Sequence, residues 1–337
     1  MNRRALLAAP LLLATPALAQ GFPGRPVRLV VPYPPGGGVD GQARALARPL
    51  GAALGGATIL VDNRAGGSTR IGTDEVRRAA PDGHTLLLMP AIAWVGFFHS
   101  RTFDTKVWEE MTPIAGTAET PYNFLASRAS SGNETWARTV EAARRRPEGL
   151  RIGGPSAGGI IELSVRDILD GARVPGLYVP FQGSAPAHAA LLAGTVDVQI
   201  MPFGDGIGQM RGGATHGLAM SGPARDPRAP EVPTFAELGI GETLMNSFSV
   251  WGPPGLPAPL RDRLAAALRT ALADAEFRAF MQDRQGFTVR FRNAGAVRQE
   301  LLDFDRAWGP RLAASARGSS GTGTDRQSVL DRAGRSR

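Results

Sequence analysis

Leu29, Val30 and Val31 form an apolar run, β-branched at its last two positions, and prolines at 32, 34 and 35 stop it. That predicts a short buried strand. Three glycines follow, and then the period changes: Ala43, Leu46, Ala47, Leu50 and Leu54 fall on one face of a helix. Asp40 stands just ahead of this segment as the expected N-cap, turned inward or toward a ligand. Pro49, inside the pattern, is expected to kink the helix or shorten its hydrogen-bonded run.

The alternation repeats along the chain. Strand-like runs cover 57–61, 86–89, 122–127, 150–152, 196–201 and 247–251, with a further extended segment from Tyr178. Helical patterns cover 73–80, 135–146, 160–169, 188–193, 256–272, 276–282 and 296–312. Strands that alternate with helices at such intervals build βαβ units and a parallel sheet, and ligands of such sheets sit beyond the carboxyl ends of the strands. From Arg317 onward the chain is nearly devoid of apolar residues and is expected to be disordered.

Residues 1–19 have a different character. Arg3 and Arg4 precede an apolar stretch that ends in Ala17-Leu18-Ala19, the layout of a secretory signal peptide with the mature protein starting near Gln20. The paired arginines leave Sec and Tat export both open. There is no cysteine, so a protein exported to an oxidising compartment relies on its core rather than on disulfides. Of the formal net charge of +8, the first 19 and last 21 residues carry five, and the remaining arginines are scattered. That argues against a nucleic-acid-binding surface.

The chemistry concentrates in glycine-rich loops between strand and helix. A helix start offers unpaired N–H groups and the positive end of the dipole, and glycine lets a ligand approach them. Gly36, Gly37 and Gly38 therefore mark a candidate seat for a phosphate or a carboxylate, or else a structural turn. The loop after the second strand holds Arg64, Gly66 and Arg70, and each guanidinium could fork to a carboxylate or merely brace the loop. In the second half the arrangement recurs at Gly154-Pro155-Ser156-Ala157-Gly158-Gly159, so two seats would close on one ligand.

Gly154 to Gly158 also matches the G-x-S-x-G nucleophile elbow, which with Asp197 or Asp205 and His216 makes a secreted serine hydrolase using Ser156 the competing expectation. Pro155 and the lack of an HGGG-type oxyanion loop weigh against it. The four histidines have no metal spacing, and the first loop lacks the Gly-Lys-Ser/Thr ending of a nucleotide site, so no cofactor is expected.

Several ordered motifs together resemble the substrate-binding proteins of tripartite tricarboxylate transporters, the Bug receptors: 30–38 with Asp40, Asp62-Asn63-Arg64, Ala79 to Gly83, Gly183 to Ala187, Pro230 to Thr234, Gly252 to Gly255 and Trp308-Gly309. The resemblance spans about 22–316. It implies an α/β fold of the type II periplasmic binding-protein class, with two lobes, each a central sheet flanked by helices, and a ligand cleft between them. The implied lobes are 20–122 with 248–316, and 123–247, and the 317–337 tail belongs to neither. It further implies a periplasmic, non-enzymatic monomer that delivers a small organic carboxylate to membrane permease subunits; a receptor reporting to a sensor is the variant reading. By position, the ligand contacts it implies fall in Pro34 to Asp40 and Gly154 to Gly159, and with the other loop candidates the expected ligand-binding residues are Tyr33, Pro34, Gly36, Gly37, Gly38, Asp40, Arg64, Gly66, Arg70, Ser156, Ala157, Gly158, Gly159, Phe181, Gly183, Ser184 and Asp205. Phe181 replaces a common tyrosine, and the segment ending in Asp205 departs from the usual pattern.

Overall fold

The computed structural model describes residues 21–155, 159–181 and 183–320, with side chains through 316. Strand β1 (Val27–Val31) is flanked on both edges by parallel partners, β2 (Ile59–Asn63) and β3 (Thr85–Pro90), with Leu29 level with Val61 and Leu86. Helices α1 (Gly38–Ala53) and α2 (Arg70–Arg77) make the crossovers. After α3 (Ile92–His99) and the single turn α4 (Val107–Glu110), β4 (Thr112–Pro121) runs through the same sheet in the direction of β1 to β3 and out of it, with an antiparallel strand added later between it and β3.

The chain then builds a second sheet. Its elements are β5 (Phe124–Arg128), α5 (Trp136–Arg144), β6 (Leu150–Gly154), α6 (Gly159–Ala172), β7 (Gly176–Pro180), α7 (Ser184–Leu192), β8 (Val198–Met201), α8 (Phe203–Arg211) and β9 (Thr215–Met220). The short α9 (Phe235–Leu238) leads back to β10 (Met245–Gly252) in the first sheet. There α10 (Ala258–Ala271), α11 (Ala275–Ala279), a π-helical turn at Phe280–Arg284, β11 (Thr288–Asn293) and α12 (Ala294–Ser320) complete the body. The sheets run β11-β4-β10-β3-β1-β2 and β7-β6-β8-β5-β9. Each is flanked by helices, so the protein has two lobes.

Strand periodicity explains the layering. Leu29 and Val31 face a core shared with α1 and α10, whereas Val30, Leu87 and Met89 face the opposite one under α3 and α12. In the second lobe Ile152, Val198 and Ile200 pack under α5 and α6, while Phe124, Met201, Phe203 and Met220 form a smaller core on the far side. Ile160 and Leu163 of α6 join the α3 and α12 core, so the lobes share apolar contact along one side.

The two crossing segments are tied together. Tyr122 N–H donates to the Leu244 carbonyl at 2.9 Å, and the buried Ser221 hydroxyl accepts from Asn123 N–H at 2.9 Å while donating to the Leu244 carbonyl at 2.7 Å. Met245, Asn246 and Ser247 already pair with β4, three residues ahead of the return to the first lobe expected at 248.

Local details add to the sequence expectations. Helix α1 continues four residues past a buried Pro49, whose missing N–H removes one hydrogen bond near the helix end. Helix α12 continues to Ser320, four residues into the expected tail; 321–337 and the expected signal peptide at 1–19 lie outside the described residues. Strands β4, β9 and β11 had no clear signal of their own.

Candidate functional site

The prolines after β1 end its pairing, Gly36 takes φ +88°, and α1 starts at Gly38 with Gly37 as the N-cap. Gly37 has no side chain to cap with. The first intrahelical bond runs from Gly41 N–H to the Gly37 carbonyl at 2.9 Å, and the amides of Gly38, Val39 and Asp40 precede it, where a helix cannot pair them internally. Asp40 is thus the third helical residue and not the N-cap. It turns inward, only 4% exposed, and its Oδ2 accepts from Gly36 N–H at 2.9 Å and Arg44 Nε at 3.0 Å. Burial pushes its pKa up, but the bonds from Arg44 and Gly36 outweigh this and hold the carboxyl below its ordinary range. Gly36's amide is therefore engaged by Asp40, and the open donors are those one to three residues further on.

The same lack of capping marks the other strand ends. Helix α2 begins after Thr69 at φ 73°, α3 after Ala91, α7 after Gly183 at φ 116° and α8 after Pro202, and none has a side-chain cap. By contrast, Thr135 caps α5, Thr234 and Glu237 form a capping box on α9, and Asp274 caps α11. The helices that follow strands of the parallel sets, β1, β2, β3, β7 and β8, thus open uncapped at the carboxyl ends of those strands. Donors left in that state with aligned dipoles suit an anion. Gly159, at φ +71°, opens α6, while Ser156, Ala157 and Gly158 lie outside the described residues.

Phe287 brings the two lobes' helix starts together. A Cβ on Gly38 would stand 2.9 Å from Phe287 Cζ, and one on Gly204 would stand 2.5 Å from its Cε1. The openings of α1 and α8 therefore lie against one ring. Ser184 Oγ, at the start of α7, donates to Asp205 Oδ2 at 2.9 Å, which joins α7 to α8. Asp205 is open to solvent, yet protein crowds its carboxyl enough that burial pushes its pKa up, with Ser184 only partly offsetting this. Phe181 is half-buried and stands 3.1 Å from where a Gly153 Cβ would be.

The chain's three tyrosines gather here too. Tyr33 follows β1, Tyr122 lies in the crossing segment, and the Tyr178 hydroxyl sits 2.7 Å from a Cβ placed on Gly154. Burial raises the Tyr33 and Tyr122 phenols; Tyr33 feels Tyr122, and Tyr122 feels Tyr178. A row of phenols thus passes from one lobe to the other. Of the three, only Tyr33 is a sequence candidate; Tyr178 lies within β7 and Tyr122 in the crossing segment, and their nearness to it is tertiary.

Arg64 and Arg70 are engaged by protein carboxylates. Arg64 Nε lies 3.1 Å from Asp62 and 3.3 Å from Glu75, which also hold Arg28. Arg70 reaches the Thr102 carbonyl at 2.8 Å and Asp104 at 3.3 Å. Bracing is the role this geometry fits. Gly66, at φ +126°, packs over Ile71, and Pro34 is exposed. Asn63 Nδ2 donates to the Tyr33 carbonyl at 3.1 Å and Arg64 N–H to the Val31 carbonyl at 2.8 Å, so this loop supports the first. A recess of about 850 Å³ opens between α3, α6 and α12, but it shares only Gly159 with the candidate loops, and its His99 and Asp104 already pair with Asp305 and Arg70.

The hydrolase partners do not converge. Asp197 receives Arg146 and Arg151 at the opening end of β8. His216 pairs with Ser127, itself level with Val198, so it too stands at the end of the sheet away from the 154–159 loop. Asp205 bonds to Ser184 instead.

The profile of the Tripartite tricarboxylate transporter family receptor matches residues 42–310. Protein BugT of Bordetella pertussis is 33% identical over 303 residues, covering 88% of this chain and 91% of BugT. Among solved structures, a Rhodopseudomonas palustris protein with adipate aligns at TM-score 0.75 and 26% identity, over 88% of this chain and 98% of that one. MatC of the same organism, with bound malate, aligns at 0.73 and 25%, over 88% of this chain and all of the other.

Proposed function

The chain belongs to the tripartite tricarboxylate transporter receptor family, and from that premise we propose that it grips a small organic acid through main-chain amides and passes it to the family's membrane permease subunits. The observation that carries this reading is the set of uncapped helix starts at the carboxyl ends of the parallel strands, drawn from both lobes. A carboxylate held there needs no arginine, and the arginines of the loops are engaged elsewhere. The acids bound by the two solved relatives, malate and adipate, support the same ligand class.

The contacts proposed are the amides of Gly37, Gly38 and Val39, those of the 156–159 loop, and Gly183 with Ser184, flanked by Tyr33, Phe181 and Asp205. The crossing segments bonded through Ser221 are the natural hinge for closure. Work in the periplasm, after cleavage near Gln20 and as a monomer, completes the proposal.

A thermal-shift panel of dicarboxylates, tricarboxylates, hydroxy acids, amino acids and aromatic acids tests it. An acid at 100 times its Kd adds about 2.7 kcal/mol to stability, which a melting curve resolves. Absence of any shift at millimolar acid, with turnover of an ester that depends on Ser156, would overturn it.

A further inference from the structure

Granted that the cleft takes a carboxylate, we propose that Asp205 is a specificity-determining residue: it favours acids whose far end carries a hydrogen-bond donor, a hydroxyl or an ammonium, over acids that end in a second carboxylate.

Asp205 stands at the start of α8, next to Gly204, which lies against the same Phe287 ring as Gly38 at the start of α1, so it sits on the other lobe near the carboxylate seat. Its Oδ2 accepts from Ser184 Oγ at 2.9 Å, while Oδ1 accepts from no described group. The carboxyl is held rigidly. The Ser184 carbonyl accepts from Gln199 Nε2 at 2.9 Å, Gln199 is fully buried, and its Oε1 lies 3.0 Å from His188 Nδ1. A carboxylate oriented by Ser184 and open on its other oxygen offers an acceptor to a ligand and no donor.

The cations that might reverse this preference are occupied. Arg28, Arg44, Arg64 and Arg70 all pair with protein carboxylates, those of Asp62, Asp40, Asp62 and Asp104. Arg228, above the Phe203 ring at 5.3 Å, pairs with Asp226 at 2.5 Å. A ligand's second carboxylate beside Asp205 would meet a like charge without a counterion, whereas a hydroxyl or ammonium would complete Oδ1. If Asp205 served only to complement the α8 dipole, ligand choice would not depend on it.

Calorimetric titration of the mature chain at pH 7 tests this with acids matched in length: 4-hydroxybutanoate and 4-aminobutanoate against succinate, and 6-hydroxyhexanoate and 6-aminohexanoate against adipate. The donor-ended acid is expected to bind at least tenfold tighter than its matched diacid. Asp205→Asn, which keeps the shape and removes the charge, should shrink that ratio at least tenfold, and Ser184→Ala should shrink it less. Diacids that bind wild type as well as their partners, or a ratio unchanged in a folded Asp205→Asn, would overturn the inference alone. Should Asp205→Asn fail to fold, the wild-type ratio decides. If no acid of either kind binds, the carboxylate reading of the cleft falls as well.

Discussion

Gly37→Asp is expected to weaken acid binding at least a hundredfold while leaving the fold as stable as before, or slightly more so. Gly37 is the N-cap of α1 at φ −82° and ψ 172°, an extended conformation open to any residue, and a Cβ there would meet nothing within 4 Å. An aspartate at an N-cap accepts from the amides two and three residues on, here Val39 and Asp40. It would occupy the Val39 amide proposed for the ligand and place a negative charge where the ligand's must go. The fold gains a few tenths of a kcal/mol from the cap relative to glycine. Binding loses about 2.7 kcal/mol for a hundredfold change. Gly37→Ala, which cannot cap, should bind within a few-fold of wild type. Melting curves and titrations on the three proteins check this, and a Gly37→Asp variant that binds normally would show that the amides are not the seat.

Asp197→Asn is expected to act in the opposite way, on stability and not on binding. Asp197 accepts from Arg146 Nη1 at 2.9 Å, from Arg151 Nη2 and Nε at 2.9 and 3.1 Å, and from the Arg151 amide at 2.9 Å. Burial alone would raise its pKa, but these bonds prevail and take it from 3.8 to about 2. At about 1.4 kcal/mol per pH unit, the charged form contributes about 2 kcal/mol to folding. A lowered folded-state pKa means the contribution is whole above pH 4 and fades as pH falls through 2. The variant should therefore lose about 2 kcal/mol at pH 7, and the gap should close toward pH 2. Denaturant titrations across that range measure it. A gap independent of pH would show that the carboxylate's charge is not the source.

What the chain revealed in advance depended on whether a pattern was local. Strand β1 and helix α1 were legible because their periods differ and prolines and glycines separate them. Strand β4, Thr-Pro-Ile-Ala-Gly-Thr-Ala-Glu-Thr-Pro, was not, since it is small and polar and becomes buried only between β10 and β11. Asp40 looked like an N-cap because capping residues are read by type, whereas Gly37 takes that place and leaves the amides open. The roles of Arg64 and Arg70 hung on Glu75 and Asp104, partners whose proximity is tertiary. The contrast between helix starts that can cap, Thr135, Thr234 and Asp274, and those that cannot, Gly37, Ala91, Gly183 and Pro202, was present in the residues all along. Its meaning needed the sheet order, which puts these four at the carboxyl ends of parallel strands, whereas α4 and α10, also uncapped, open elsewhere.

The most direct measurement is an amide and arginine side-chain NMR titration with an acid that the melting panel identifies. Binding through the main chain predicts that the Gly38 and Val39 amide protons move downfield together with those of Gly183 and Ser184, while the Arg64 and Arg70 Nε resonances stay in place. Large arginine shifts with unmoved Gly38 and Val39 amides would contradict it.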